Sequence, residues 1–249
     1  MAYTSQIPSL RGSLLIDCFV QQSKGNLMSQ RAVIVIDIQN EYFPDGKLPL
    51  VGIVHGAANA ARVIQTARAR GDAAIHVQHE MQESHPSIFA PNTRGVEINP
   101  IVQPLERESL VVKHYPNAFR DTDLKQRLDA GGVEEVVIVG AMSHMCIDAT
   151  SRAAADYGYK ITILHDACAT CDLPFGGIIV PAVQVHAAFM AALGEQALIE
   201  MQQDRLDAST RAIYDRDDRL PERIELMQFW ADMLDTFCGT DAAKMRKAA

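Results

Sequence analysis

The sequence predicts an α/β protein: a three-layer α/β/α sandwich built on a mainly parallel, six-stranded sheet. Three observations carry this expectation. Short β-branched apolar runs alternate with segments of helical period along residues 31–199. The runs at 32–38 and 136–139 are almost continuously apolar, as strands covered on both faces must be. Two connections, residues 40–54 and 78–109, are far longer than the rest. Loops of that length in a compact domain usually carry function.

Regular structure begins abruptly at Arg31. Residues 32–38 (AVIVIDI) form the first strand, broken in character only by Asp37. Residues 57–70 place apolar side chains at helical spacing, and Gly71 stops that helix. Residues 73–77 (AAIHV) are the second strand, which completes a βαβ unit with a right-handed crossover. A short strand at 110–112 and a short helix at 122–128 follow, closed by Gly131 and Gly132. Then come a buried strand at 136–139 (VVIV), a helix at 146–157 ended by Gly158, a strand at 161–164, a helix at 181–193 and a last strand at 196–199.

The composition bounds what such a chain can do. Hydrophobic residues make up 48% and charged residues 22%, which excludes wholesale disorder and a small disulfide scaffold. The formal charge of −8 argues against non-specific binding to nucleic acid or to anionic membranes. The five cysteines, Cys18, Cys146, Cys168, Cys171 and Cys238, are an odd set without framework spacing, which suits a reducing compartment. No apolar run has the length of a membrane span. Residues 14–20 (LLIDCFV) contain Asp17 and precede no small-residue cleavage site, so no signal peptide is expected and a cytoplasmic location is. Cys168 and Cys171 have Cys-x-x-Cys spacing, but no second ligand pair accompanies them, and they read as loop cysteines.

In open parallel sheets, ligands bind beyond the carboxyl ends of the strands. Three reactive groups stand at such ends. Asp37 closes the first strand, either as a desolvated functional acid or as a cap on the next turn. Lys113 follows the strand at 110–112, where a lysine is otherwise solvated. Cys146 ends the stretch Gly140-Ala-Met-Ser-His-Met-Cys146, which places it at or near the first turn of the following helix. A helix N-terminus favours a thiolate, whereas a free cysteine elsewhere is more often a buried structural residue. Neighbouring parallel strand ends converge, so the three groups can share one pocket. There the carboxylate can take the thiol proton and later deliver it to a leaving amine, while the lysine steadies the anions. Backbone N–H groups in the turn before Cys146 can supply an oxyanion hole.

On these residues the chain resembles the isochorismatase-like cysteine hydrolases, which include nicotinamidase and N-carbamoylsarcosine amidase. The matching pieces are Val35-Ile-Asp37-Ile-Gln39-Asn40 with Phe43, Lys113 with Phe119, and the Gly140–Cys146 turn with Thr150, Ala153 and Gly158. Val185-His186 and Ala191-Ala-Leu193 fit the family's last helix, and the resemblance covers about residues 29–200. It implies Cys146 as nucleophile with Asp37 and Lys113 completing a triad. It also implies a cis peptide between Ala141 and Met142 that aims the N–H of Met142, with that of Cys146, at a developing oxyanion. Gln39, Phe43, Ser143 and His144 are the candidate substrate contacts. Isochorismatase itself lacks the cysteine, so Cys146 favours hydrolysis of a C–N bond through a thioester. Nicotinamidases bind a metal through an Asp-x-His pair and a further His. The corresponding loop here has no such pair, only His79 and His85 six residues apart, so neither metal nor cofactor is expected. The resemblance points to a small amide or carbamoyl substrate and a homo-oligomer.

The ends of the chain differ in character. Residues 1–28 read as an extension, residues 29–204 as the hydrolase domain, and residues 205–249 as a helical tail. In the tail, residues 223–234 put Ile224, Met227, Trp230 and Leu234 on one face of an amphipathic helix. The stretch resembles the C-terminus of phage-type tyrosine-recombinase integrases, with Tyr214 near the nucleophile position and a Leu226-Met-x-x-Trp230-Ala-Asp segment. The remaining recombinase machinery has no room in this chain. The alternative to an amidohydrolase is a catalytically idle scaffold, or a DNA-associated protein acting through this tail.

Overall fold

The structure is a computed structural model and describes residues 30–84 and 86–202 of the chain. The expected extension at 1–28, the tail at 205–249 with Tyr214 and Trp230, and His85 lie outside the described residues.

Strand β1 (Arg31–Ile36) lies at the centre of the sheet. It is followed by helix α1 (Ile53–Arg70), β2 (Ala73–His79), β3 (Ser109–Lys113) and α2 (Leu124–Ala130). Next come β4 (Glu135–Ala141), α3 (Asp148–Asp156), β5 (Lys160–Ala169), β6 (Leu173–Phe175), β7 (Ile178–Val180), α4 (Ala182–Leu193) and β8 (Leu198–Glu200). The six-stranded sheet runs β3-β2-β1-β4-β5-β8, with every neighbouring pair parallel.

The period of two along β1 explains the three layers. Val33 and Val35 face Ala57, Ala60 and Ile64 of α1. Ala32, Ile34 and Ile36 face the other way, into a cluster with Leu124 and Leu128 of α2, Ala154 of α3 and Met190 and Leu193 of α4. Burial of each isoleucine side chain stabilises the fold by about 1.5–3 kcal/mol. A third cluster, with Tyr42, Leu50, Phe89, Val96 and Met142, packs where the long connections cover the carboxyl ends of the strands.

Several boundaries depart from the sequence expectation, and one element is new. β1 stops at Ile36, because Asp37 takes a left-handed backbone with φ of 51° and turns the chain out of the strand. α1 starts at Ile53, immediately after Gly52, whose φ of 78° suits the turn into the helix. β5 runs on to Ala169 past a register shift between Ile138 and Gly140, so Cys168 is a strand residue and only Cys171 lies in a loop. The antiparallel hairpin β6–β7 was not expected. Its Phe175, Ile178 and Ile179 are exposed, so its sequence carries no inside–outside alternation.

The lower part of the long loop after β2 is fastened to α1 through charge. Arg68 makes a two-pronged contact with Glu108, 2.7 Å at each oxygen, and His76 Nε2 lies 3.1 Å from the same carboxylate. Burial opposes ionisation of Glu108, but the Arg68 guanidinium and the Leu105 N–H outweigh it and bring its pKa down to about 2. A depressed folded-state pKa contributes stability that is present above the unfolded value and lost as pH falls through the folded one. Glu108→Gln therefore costs about 1–3 kcal/mol of unfolding free energy at pH 7, the range for a buried group losing a charged partner. In urea titrations the gap from wild type closes as pH falls from about 4.5 toward 2. A gap independent of pH would show that Glu108 acts only through packing.

Candidate active site

The parallel register brings three strand ends together. Asp37 follows β1, Lys113 closes β3, and Cys146 lies in the turn after β4. Lys113 Nζ is 2.7 Å from Asp37 Oδ2 and donates to Cys146 Sγ at 3.2 Å. Asp37 and Lys113 are fully buried and Cys146 nearly so. The Asp37 backbone is itself fixed: its N–H donates to Val77 O on β2, and its carbonyl accepts from the N–H of Gln39.

The Cys146 turn is wider than an α-helical one. Residues Ser143–Ile147 form a π-type turn in which the Met142 carbonyl accepts from the N–H groups of Met145 and Ile147. Cys146 thus precedes α3 rather than starting it. The Ala141–Met142 peptide is cis. Gly140 has φ of 130° and lies against the backbone of Ile36, where a Cβ would collide with the Ile36 carbonyl. Thr150 ties α3 to the loop after β3, accepting from Ala118 N at 3.1 Å.

Electrostatics decide the resting state. Burial pushes the Cys146 thiol up to about 12, the Asp37 charge pushes the same way, and Lys113 only partly offsets them. The net direction favours the neutral thiol over the thiolate in the free site. Burial works to lower the pKa of Lys113, but the charges of Asp37 and Cys146 outweigh it and the net shift is upward. One buried cation thus faces one carboxylate and one thiol. Tyr42, buried in the third cluster, has its phenol pKa raised by burial first and by the Asp37 charge second.

The other candidate residues have different duties. Gln39 is fully buried, and its amide is already committed. Oε1 accepts from His79 N at 2.8 Å, while Nε2 donates to His79 O at 2.9 Å and to Val96 O at 2.6 Å. It clamps two loop backbones with its oxygen and both of its N–H groups. Ser143 is also fully buried, with Oγ 2.8 Å from His186 Nδ1 and 3.4 Å from Ala169 O, so it anchors the turn to α4 and β5. Both side chains thus have partners within the protein at the site where substrate contacts are expected of them. Phe43 is partly buried and packs between two core clusters. His144 is half-exposed, with Nδ1 2.6 Å from Thr170 Oγ1 and its ring edge-on to Phe189. Cys168 and Cys171 are free thiols.

Sequence reasoning gave His79 only as a metal suspect. The structure brings it into the cluster, with Nδ1 3.3 Å from Lys113 Nζ. The signal was available: β2 extends two residues beyond Val77, which puts His79 beside Lys113 in the β2–β3 register. Among the described residues, no three His, Cys, Asp or Glu side chains are grouped so as to hold a metal ion.

A buried cluster of Cys146, Asp37 and Lys113 thus stands at the carboxyl ends of the parallel sheet of an α/β sandwich. The chain belongs to the isochorismatase family: residues 31–176 match the isochorismatase domain. It is 51% identical over 162 residues to the isochorismatase family protein YddQ of Bacillus subtilis, covering 65% of this chain and 90% of that one. It is 34% identical over 177 residues to a streptothricin hydrolase of Streptomyces noursei, covering 68% of this chain and 61% of that one. Among solved structures it resembles a putative isochorismatase hydrolase from Oleispira antarctica, with 48% identity, a TM-score of 0.68, and 72% of this chain and 96% of that one covered. The protein is therefore a hydrolase of the isochorismatase and cysteine-hydrolase superfamily.

Proposed function

We propose that this hydrolase cleaves a C–N bond of a small amide or carbamoyl compound through a thioester on Cys146. The observation that carries the reading is Lys113, which reaches both Asp37 and Cys146 inside one buried cluster. Asp37 takes the thiol proton as Cys146 Sγ attacks the carbonyl carbon. The new oxyanion is received by the backbone N–H groups of Met142 and Cys146. As the C–N bond breaks, Asp37 returns that proton to the departing nitrogen and the amine leaves. Water, deprotonated by Asp37, then attacks the thioester, the C–S bond breaks, and the proton goes back to sulfur. Lys113 keeps its charge throughout and offsets whichever anion is present.

A thiol with a pKa near 12 is no obstacle to this scheme, because the proton moves only once a substrate carbonyl is in place. The test is a panel of ureides, carbamoyl amino acids, biuret-like compounds and nicotinamide, read by ammonia release. Turnover of at least one member above the Cys146→Ala background supports the reading, and turnover of none contradicts it. No step requires a metal, so dialysis against a chelator leaves the rate unchanged. A loss restored by zinc or iron would return attention to His79 and His85.

A further inference from the structure

We infer that His79 is a positioning residue for the hydrolytic centre: its Nδ1 is the third acceptor of the Lys113 ammonium and keeps that group aimed at Asp37 and Cys146. The inference rests on the proposed role of Lys113 beside the Cys146 nucleophile.

An ammonium has three N–H groups and no acceptor. Around Lys113 Nζ stand Asp37 Oδ2 at 2.7 Å, Cys146 Sγ at 3.2 Å and His79 Nδ1 at 3.3 Å. Nζ thus makes an ion pair with Asp37 and hydrogen-bond contacts with Cys146 and His79 in a fully buried place, where an unused N–H is costly. Since Lys113 only donates, Nδ1 must be the lone-pair nitrogen, and the proton of a neutral His79 sits on Nε2. Burial first, and then the adjacent ammonium, keep His79 uncharged by lowering its pKa to about 4.

The imidazole is held from three sides. Its backbone N–H and carbonyl are both bonded by the Gln39 amide, and the same amide reaches Val96 O. Its ring meets the edge of Phe89 at 5.5 Å between centroids, and Phe89 in turn meets Tyr42 at 5.0 Å. The strand register then puts His79 directly beside Lys113. Gln39, two residues after Asp37, therefore sets the histidine that sets the lysine that steadies Asp37 itself. Without the third acceptor the flexible lysine chain gains freedom to leave the sulfur, and small displacements of a catalytic group are expensive.

The test compares His79→Phe, which keeps a ring against Phe89 without an acceptor, with His79→Asn, whose Oδ1 can accept in place of Nδ1. The deciding readout is the alkylation rate of Cys146 by iodoacetamide between pH 7 and 10, followed on the Cys146 peptide by mass spectrometry. It needs no substrate, so it stands apart from the hydrolase reading, which the substrate panel tests. Phe is expected to slow alkylation at each pH, and Asn to recover most of the wild-type rate. Where a substrate is in hand, kcat of His79→Phe falls about 10- to 100-fold with KM nearly unchanged. Thermal melts confirm that both variants are folded. A wild-type alkylation profile in folded His79→Phe, or an Asn variant no better than Phe, would overturn the inference.

Discussion

Replacing Cys146 with alanine lowers kcat by several orders of magnitude, on the scale of about 10⁴–10⁶ known for the loss of a covalent nucleophile. Among the described residues, the other contacts of Lys113 Nζ are the Asp37 carboxylate and the His79 imidazole, and neither can form a thioester. Cys168→Ala and Cys171→Ala serve as controls. Cys168 donates to Leu164 O within β5, and Cys171 packs at the edge of the loop cluster. Each should leave kcat within about twofold of wild type, as substitutions away from the reacting atoms usually do. Steady-state kinetics on any substrate found in the panel checks all three variants. Equal losses from the three cysteines would mean that they act through structure rather than chemistry.

Asp37→Asn and Lys113→Met should each lower kcat by about 10²–10⁴, the scale of a lost general acid or base. The two residues face each other at 2.7 Å with no exposed surface, so each is the other's compensating charge. Removing Lys113 leaves the carboxylate uncompensated and takes away the cation that offsets a thiolate or an oxyanion. Removing Asp37 leaves the thiol without its base and the departing amine without its acid. A buried charge deprived of its partner costs about 3–5 kcal/mol, so both single variants should also melt well below wild type. Since both act through one proton and one sulfur, the double variant should be far less impaired than the product of the single losses, and its melting temperature should recover part of the deficit. Losses in kcat that multiply cleanly would show Asp37 and Lys113 acting independently, contrary to the mechanism.

The residues of the centre were legible in the sequence because they sit where parallel strands end, and strand ends can be read from β-branched runs. Asp37 after AVIVI and Lys113 after LVV need no tertiary information to be singled out. The duty of Gln39 was not legible, because its partners come from His79 and Val96, 40 and 57 residues away, and the loop between them has no period to read. The direction in which the Cys146 thiol is pushed was not legible either. A helix N-terminus favours a thiolate, but Cys146 is buried in the core cluster that holds Ile36, Phe119 and Ile147, and burial works the other way. The strand carrying Cys168 was underestimated because the shift at Gly140 lets β5 continue beside Ala141 after its apolar run has ended.

The most direct test of the thioester is product partitioning in hydroxylamine. A series of amides sharing one acyl group but differing in the leaving amine passes through one common acyl–Cys146 intermediate. At fixed hydroxylamine concentration, the ratio of hydroxamate to carboxylic acid should then be the same for every member, even where their overall rates differ widely. A ratio that changes with the leaving amine would mean that water and hydroxylamine attack the substrate itself, and the covalent mechanism on Cys146 would be contradicted.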